Sequence, residues 1–131
     1  MKSVFKLCLI ITTLLLIGCT NIPEEKPDVW RPVEITSLNS TDYITYITVY
    51  GVLKNVSDKP IKEIWCTVRA EDNYNSGKTT MGLTYSGDGL LPGQSADFSV
   101  DVYFIPFESS YEFGCRVDEV VFTDGTKWEA K

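Results

Sequence analysis

The feature that most constrains this chain is an every-other-residue alternation of apolar and polar side chains that recurs along most of its length. Ile64, Cys66 and Val68 alternate with more polar neighbours, and Phe98 and Val100 do the same. This pattern is typical of strands with one buried face, because successive side chains point to opposite sides of a β-strand. No apolar period of about 3.6 residues, which would indicate an amphipathic helix, is sustained beyond the N-terminal segment. The sequence therefore predicts an all-β fold.

Clusters of Gly, Pro, Asn and Asp divide this pattern at the spacing of a β-sandwich. Leu91-Pro92-Gly93-Gln94 predicts a type II turn, and Asp124-Gly125 predicts a two-residue hairpin. The predicted strands are Trp30–Thr36, Tyr43–Lys54, Ile61–Ala70, Thr79–Tyr85, Gln94–Tyr103, Tyr111–Asp118 and Val120–Trp128, the last interrupted by a turn. About seven antiparallel strands in about 100 residues predict an immunoglobulin-like β-sandwich over residues 29–131.

One stretch of the sequence resembles a known family. Gly51-Val52-Leu53-Lys54-Asn55-Val56-Ser57 is followed by Pro60-Ile61, and later by Leu91-Pro92-Gly93 and Phe98. This order is similar to the FxLYD family of extracytoplasmic immunoglobulin-like domains over roughly residues 43 to 123. It departs at the segment that names the family, where Val68-Arg69-Ala70-Glu71-Asp72 keeps only the final Asp. The resemblance implies the sandwich fold and brings no catalytic residues with it.

The N-terminal segment has the layout of an export signal. Lys2 and Lys6 precede an apolar run that is too short to span a bilayer. The run ends on Leu16-Ile17-Gly18-Cys19, which resembles the lipobox of prokaryotic lipoproteins, where the Cys is diacylated and the leader is cleaved before it. The resemblance implies a signal peptide over residues 1–18 and lipidation at Cys19. The alternatives are a secretory signal with a chance Cys at the cut and an uncleaved anchor helix.

Residues 19–28 predict a spacer between this anchor and the domain. They hold two prolines and three acids with no periodicity, which is typical of a stiff, solvated segment. We therefore expect an extracytoplasmic, membrane-anchored protein, held on the cell membrane or on the outer membrane or cell surface through lipid at Cys19.

The charge balance and the lack of histidine exclude several classes of function. The chain has 12 Lys and Arg against 18 Asp and Glu, and loss of Lys2 and Lys6 with the leader leaves 10 against 18, or −8. So acidic a chain does not favour a nucleic-acid partner, because phosphate binding needs a basic surface. With no His in the sequence, Ser-His-Asp and Cys-His catalysis and His-ligated metals are excluded. We predict no enzyme activity, no cofactor and no metal site.

Two cysteines, Cys66 and Cys115, remain once the N-terminal segment is set aside. An even pair in an exported chain is expected to oxidise. Both fall on the inward phase of their strands, and the third and sixth strands of an immunoglobulin-like order are neighbours. The sequence therefore predicts a Cys66–Cys115 disulfide, with two reduced, buried thiols as the alternative.

Acidic and aromatic residues supply the other candidate sites. Asp97 with Asp101, or Asp118 with Glu119 and Asp124, offer carboxylates for a Ca²⁺ site or a glycosidase pair. Their spacing matches no known loop, which favours an acidic face that keeps the domain soluble.

Tyr46, Tyr50 and Trp65 fall on the outward phase of consecutive predicted strands, where a ridge of rings would stack on sugars. The alternative is that they form cross-strand pairs covered by a loop. Our leading expectation is a lipoprotein that displays a non-enzymatic binding or envelope-structural domain, with a protein or a glycan as its partner. The rival is a carbohydrate-binding module that uses this Tyr/Trp face.

Overall fold

The computed structural model describes residues 30–107 and 110–131. The predicted signal peptide, Cys19 and the spacer lie outside the described residues. Within those residues the chain forms no helix and seven strands, namely β1 (Val33–Asp42), β2 (Ile47–Asn55), β3 (Ile61–Glu71), β4 (Ser76–Thr84), β5 (Ser95–Val102), β6 (Glu112–Phe122) and β7 (Lys127–Glu129). The predicted all-β class and the predicted number of strands are confirmed.

The strands form two antiparallel sheets that pack face to face. One sheet has the order β1-β2-β5 and the other has the order β4-β3-β6-β7. The third and sixth strands are neighbours, as predicted, from Ile61 opposite Phe122 to Glu71 opposite Glu112. The predicted antiparallel sandwich is therefore confirmed. The same order places β2 and β3 in different sheets although they are consecutive in the sequence.

The core fills the space between the two sheets. It is built from the apolar side of each alternating strand, and burying each large side chain contributes about 1.5–3 kcal/mol. The apolar strand residues with no exposed surface are Ile47, Val49, Leu53 and Val102 from the first sheet and Ile61, Ile64, Cys66, Val68 and Val120 from the second. Their spacing confirms the inward phases that the sequence predicts for β2 and β3.

The strand bounds differ from the prediction at both ends of the domain. β1 starts later than the predicted Trp30–Thr36 and continues to Asp42. The sequence predicts separate strands over Tyr111–Asp118 and Val120–Trp128, whereas β6 is one continuous strand and β7 is short. The prediction was wrong there because the buried phase shifts inside β6.

A β-bulge explains that shift of phase. Cys66 lies opposite Val117, and the preceding residue Trp65 lies opposite Glu119, so no residue of β3 lies directly opposite Asp118. An extra residue of this kind reverses which side of a strand faces the core. The buried side therefore changes from odd-numbered to even-numbered residues within β6, as if one strand had ended and another begun.

The predicted type II turn is confirmed in its geometry. Gly93 has a φ of 81°, the left-handed conformation that this turn requires at its third residue. The turn closes through a hydrogen bond of 2.9 Å from the Gln94 amide to the Leu91 carbonyl. The turn leads directly into β5, so Pro92 lies outside the strand ladder.

The Asp124-Gly125 hairpin has one residue more than predicted. The Gly125 amide donates to the Phe122 carbonyl at 3.0 Å, and the Phe122 amide donates to the Thr126 carbonyl at 2.9 Å. A two-residue type I′ turn needs a positive φ at both positions. Here Gly125 has a positive φ of 87°, whereas Asp124 does not have a positive φ. The loop therefore includes Thr123 and follows the three-residue pattern of a turn completed by a left-handed glycine.

Gly51 is required by a close approach between β1 and β2. A Cβ at this position would lie 2.1 Å from the Ser37 carbonyl oxygen and 3.1 Å from Cε1 of Phe98. The β-bulge between Ile35 and Ser37 lies beside this contact. Any side chain here would force the two strands apart.

Asn55 is a fully buried polar residue that joins the β2–β3 loop to the β4–β5 loop. Its Nδ2 donates to the carbonyls of Lys59 and Leu90, both at 2.8 Å. Its Oδ1 accepts from the Ser57 amide at 2.9 Å and from the Ser57 hydroxyl at 2.6 Å. A buried amide with these partners satisfies main-chain groups that would otherwise lose their hydrogen bonds with water.

We expect Asn55→Ala to lower the free energy of unfolding by about 3 kcal/mol, because it removes the acceptor of the buried Ser57 amide and one donor each from the carbonyls of Lys59 and Leu90. Urea denaturation followed by tryptophan fluorescence measures the change. The matched control is Asn39→Ala, at an exposed position, which should cost less than about 0.5 kcal/mol. Equal losses for the two variants would contradict the role given to Asn55.

Candidate functional site

The loops of the sandwich gather at its two ends. The β1–β2, β3–β4 and β5–β6 loops lie at one end, which we call the apex. They touch one another there, since Nδ2 of Asn75 donates to the Ile105 carbonyl at 2.9 Å. The chain enters the domain at the opposite end, the base, where the Val56 amide donates to the Pro32 carbonyl at 2.9 Å.

The apex carries a cluster of exposed apolar side chains. We call this cluster the apical surface, and it consists of the exposed residues Tyr43, Ile44, Tyr74, Tyr103, Ile105 and Phe107 together with the half-buried Tyr46. The exposed fraction is 91% for Ile44, 80% for Tyr103 and 71% for Phe107. Soluble domains rarely leave so many large apolar residues together in water, and such clusters mark interaction sites.

The aromatic rings of the apical surface pack against one another. The ring centroids of Tyr43 and Tyr46 lie 4.8 Å apart in a stacked arrangement, and those of Tyr46 and Tyr103 lie 6.3 Å apart. Tyr74 and Phe107 form a second pair at 4.6 Å. Aromatic pairs of this geometry contribute about 0.5–1.5 kcal/mol each, so the rings support one another's position.

Hydrogen bonds from the β3–β4 loop hold the segment that follows β5. Oδ2 of Asp72 accepts the Phe107 amide at 2.7 Å. Its Oδ1 accepts the amides of Tyr74 and Asn75 at 2.8 and 2.7 Å. Phe104 is buried and anchors the same segment in the core, beside Tyr103 and Ile105 on the surface. The exposed side chains are therefore presented from a fixed backbone.

Tyr111 joins the β1–β2 hairpin to the start of β6. Its hydroxyl donates to Asp42 and lies 2.8 Å from the hydroxyl of Ser40. Its ring packs edge-on against Phe104 at 5.5 Å. Burial, together with the hydrogen bond to Asp42, raises the pKa of Tyr111. This contact links the two sheets at the apex.

The structure does not bring Tyr46, Tyr50 and Trp65 together. Tyr50 lies in β2 and Trp65 in β3, on the outer faces of opposite sheets, and both are 42% exposed. Tyr46 precedes β2 and stacks on Tyr43 in the apical surface. The three rings therefore do not form the one face that the sequence predicts, because the chain crosses between sheets after β2.

The residues that sequence reasoning missed are Tyr43, Ile44, Tyr74, Tyr103, Ile105 and Phe107. A signal for part of this set is present in the segment Tyr103-Phe104-Ile105-Pro106-Phe107. Pro106 cannot donate to a strand ladder, so the apolar residues around it fall in a loop, where an interaction is a usual reason for them. No comparable signal joins this segment to Tyr43 or Tyr74, which are distant in the sequence.

Cys66 and Cys115 are free thiols that lie in contact between β3 and β6. The register places Cys66 opposite Val117 and Cys115 opposite Val68, so the two are diagonal neighbours on the core side. The hydrogen bond to Cys115 and burial raise the pKa of Cys66. The same hydrogen bond lowers the pKa of Cys115, the less buried of the two, so Cys115 ionises first.

Three of the acids singled out in the sequence, Asp101, Asp118 and Asp124, serve local structure. Oδ1 of Asp101 accepts the Thr48 hydroxyl at 2.7 Å across two strands. Asp118 accepts the hydroxyl of Thr67. The hydroxyl and amide of Thr126, together with Lys59, lower the pKa of Asp124 to about 2 in the β6–β7 turn. Among the described residues, no three or more His, Cys, Asp or Glu are grouped so as to hold a metal ion.

No helix in residues 30–107 or 110–131 is long and apolar enough to cross a bilayer. Comparison of the chain with known protein families, curated proteins and solved structures finds no match. The resemblances to lipoproteins and to FxLYD domains therefore stay predictions, and the candidate site rests on its own geometry.

We expect Cys66 and Cys115 to be joined by a disulfide in exported protein, because their side chains already touch. Closing a loop of this length removes about 4 kcal/mol of unfolded-state freedom. Mass spectrometry of non-reduced protein should show the two peptides linked and lighter by two hydrogens, and reduction should lower the unfolding temperature. Free thiols at both positions in freshly exported protein would rule the bond out.

Proposed function

We propose that this chain is a membrane-anchored extracytoplasmic lipoprotein whose immunoglobulin-like sandwich binds a partner protein, or supports the envelope by such a contact, through the apical surface. The observation that carries the proposal is the group of exposed apolar side chains held on a fixed backbone at the apex. Exposed apolar area costs free energy in water, and covering it with a partner recovers that cost.

The chemistry of the apical surface favours a protein partner. Ile44 and Ile105 are exposed, branched aliphatic side chains of this surface, and they offer no ring for stacking on a sugar. The side-chain oxygens of Asp72 are already bonded to main-chain amides, so they are not free to bind sugar hydroxyls. Aromatic and aliphatic side chains together are typical of the centres of protein interfaces.

The position of the apex suits a protein tethered at its N-terminus. The chain enters the domain at the base, and the apical surface lies at the other end of the strands. Under the lipoprotein proposal, a spacer attached at the base leaves the apex free to meet a partner. The loop segments 43–46, 72–75 and 103–107 contain no Lys or Arg, which gives them no attraction for anionic lipid.

A non-enzymatic function fits the same residues. General acid or base catalysis requires a group with a tuned pKa beside a substrate cavity. The sequence has no His, Cys66 lies in the core, and Asp118 and Asp124 are bonded within the fold. These observations support a function that consists of binding without catalysis.

A carbohydrate-binding module is the second candidate function. Because Tyr46, Tyr50 and Trp65 are separated, it cannot use the three rings as one binding face. Each ring belongs to a different surface, so no ridge of the three supports it. The observation that still supports a carbohydrate-binding function is the exposure of Trp65, whose indole lies against Gly82 and remains 42% exposed.

We expect Cys19→Ala to accumulate as uncleaved precursor that no longer partitions into detergent phase, because the lipid acceptor is lost. Metabolic labelling with a fatty acid, followed by phase partitioning, measures both effects. Cys8→Ala is the matched control, since it removes a thiol inside the leader, and it should be processed and labelled like the unaltered protein. Normal processing and labelling of Cys19→Ala would refute the anchor.

We expect a photoreactive residue placed at position 105 to crosslink to one discrete partner protein in cells. Position 91 is the control, because Leu91 is an exposed apolar residue at the base, 46% exposed against 58% for Ile105. The adduct at position 105 should be lost when Ile44→Glu is added, since a charge at this apolar surface is costly to bury. An equal adduct at position 91, or none at either position, would contradict the proposal.

A further inference from the structure

We propose that the outer face of β4, β3 and β6 binds an oxyanion carried by a saccharide, with Arg69, Lys78 and Arg116 as its cationic groups. This site lies outside the apical surface, and the proposal does not depend on a protein partner binding there. It follows from the cross-strand register, from an unneutralised pair of cations and from a glycine that the fold does not require.

The register brings the three cations to one depression. Arg69 lies opposite Lys78 on one side and opposite Gly114 on the other. One row closer to the base, Thr67 lies opposite Arg116. These side chains share the outer face, since residues two apart on a strand point the same way. They line a depression of 420 Å³, whose lining is Thr67, Arg69, Lys78, Gly114, Cys115 and Arg116.

Gly114 leaves this depression open, and nothing in the fold requires a glycine at this position. Its φ is not positive, and a Cβ built on it would meet no atom within 4 Å. Glycine weakens a strand because it adds chain entropy to the unfolded state and no packing, so a larger residue here would favour the sheet. Glycine inside a strand with free space above it is typical of a place where a ligand approaches the backbone.

The charges of the patch are unusual for this protein. The chain has a net charge of −6 and only three arginines, and two of these line the depression. Arg69 and Lys78 face each other directly, an arrangement of like charges that destabilises a sheet. The ion pairs found among the described residues do not include either of them. An oxyanion placed between the two would relieve this repulsion.

None of the acids in the described part of the chain forms an ion pair with Arg69 or Lys78. Glu71 and Glu112 lie one row closer to the apex and make no ion pair with Arg69 or Lys78. Asp118 pairs with Arg116 at 2.8 Å, which fixes the direction of that guanidinium. The unneutralised charge therefore centres on the facing pair of cations.

Trp65 gives the site its preference for a saccharide. It lies on the same face of β3, and a Cβ at Gly82 would come within 2.8 Å of its Cζ3, so the indole rests against the sheet. Its Nε1 donates to Glu63 at 3.3 Å, which fixes the ring. Trp65 and Arg69 are about 13 Å apart along the strand. A short oligosaccharide spans that distance, with one sugar stacked on Trp65 and an acidic group at Arg69 and Lys78.

Calorimetric titration of the full-length protein in detergent, at low salt, tests the site. The probes are an oligogalacturonate, its neutral methyl ester, a sulfated dextran oligomer and inorganic phosphate. We expect at least one of the two acidic saccharides to bind, and the methyl ester to bind at least tenfold more weakly than the oligogalacturonate or not at all. Inorganic phosphate should bind more weakly than either saccharide, because it lacks the contact with Trp65. Absence of binding by both acidic saccharides, or equal binding of the ester and the acid, would overturn the proposal.

Variants assign the binding to the depression. The double variant Arg69→Gln/Lys78→Gln should bind the acidic saccharide about tenfold more weakly. Arg31→Gln/Lys62→Gln removes the same charge elsewhere and should change affinity less than about twofold. Trp65→Ala should weaken binding of the saccharide but not of phosphate. Equal losses of affinity in the two double variants would indicate a general effect of charge and would refute the site.

Gly114→Thr separates ligand binding from folding. A threonine fills the depression and suits a strand, so the unfolding temperature should stay the same or rise while saccharide binding is lost. Unchanged binding in Gly114→Thr, with its unfolding temperature intact, would show that the saccharide binds elsewhere.

Discussion

Pairing of β3 with β6 is the constraint on which both candidate surfaces depend. The ladder runs the length of both strands and brings the two cysteines into contact on its core side. On its outer side it aligns Arg69 with Gly114 and Thr67 with Arg116. Because residues two apart share a face, the register that buries one side of β3 also decides which residues meet outside. A slip of one residue in this pair would bury the charged side and expose the apolar one.

The apex shows how exposed apolar residues are held in place by polar groups. Asp72 accepts main-chain amides from its own loop and from the segment after β5, and Tyr111 reaches the β1–β2 hairpin from the other sheet. The bonds to Asp72 satisfy backbone amides that loops leave unpaired. Tyr103 and Phe107 consequently remain in water without collapsing onto the core. A surface fixed before binding loses less conformational freedom when a partner covers it.

The two surfaces differ in chemistry and in position. The apical surface is apolar and its loop segments carry no cation, whereas the outer face of β4, β3 and β6 holds two of the three arginines. Apolar area gains free energy from any partner that excludes water, while facing cations select for an oxyanion. A protein tethered at its base would present the apex outward and this sheet face sideways. Contacts with a partner protein and with an acidic polymer are therefore compatible in one domain.

The class of the fold and the local chemistry could be predicted from the amino-acid sequence. The alternation in β2, β3 and β5 indicated which side of each strand is buried, and Pro92-Gly93 indicated a type II turn, because both are properties of near neighbours in the chain. The neighbouring positions of the third and sixth strands followed from the predicted order. The predicted export and lipidation signals are equally local, since short motifs carry them.

The surfaces of the domain depend on how its two sheets pack, which the sequence pattern does not indicate. Tyr50 and Trp65 follow one another on consecutive strands, yet the crossover from β2 to β3 places them on opposite sheets. Asp118 moves the buried side of β6 by one residue, which alternation alone presents as the end of a strand. The register of β3 and β4 places Arg69 opposite Lys78. Tyr74 and Phe107 come into contact because their two loops lie at the same end of the sandwich. Such contacts join residues distant in the sequence, so their geometry appears only when the two sheets have packed.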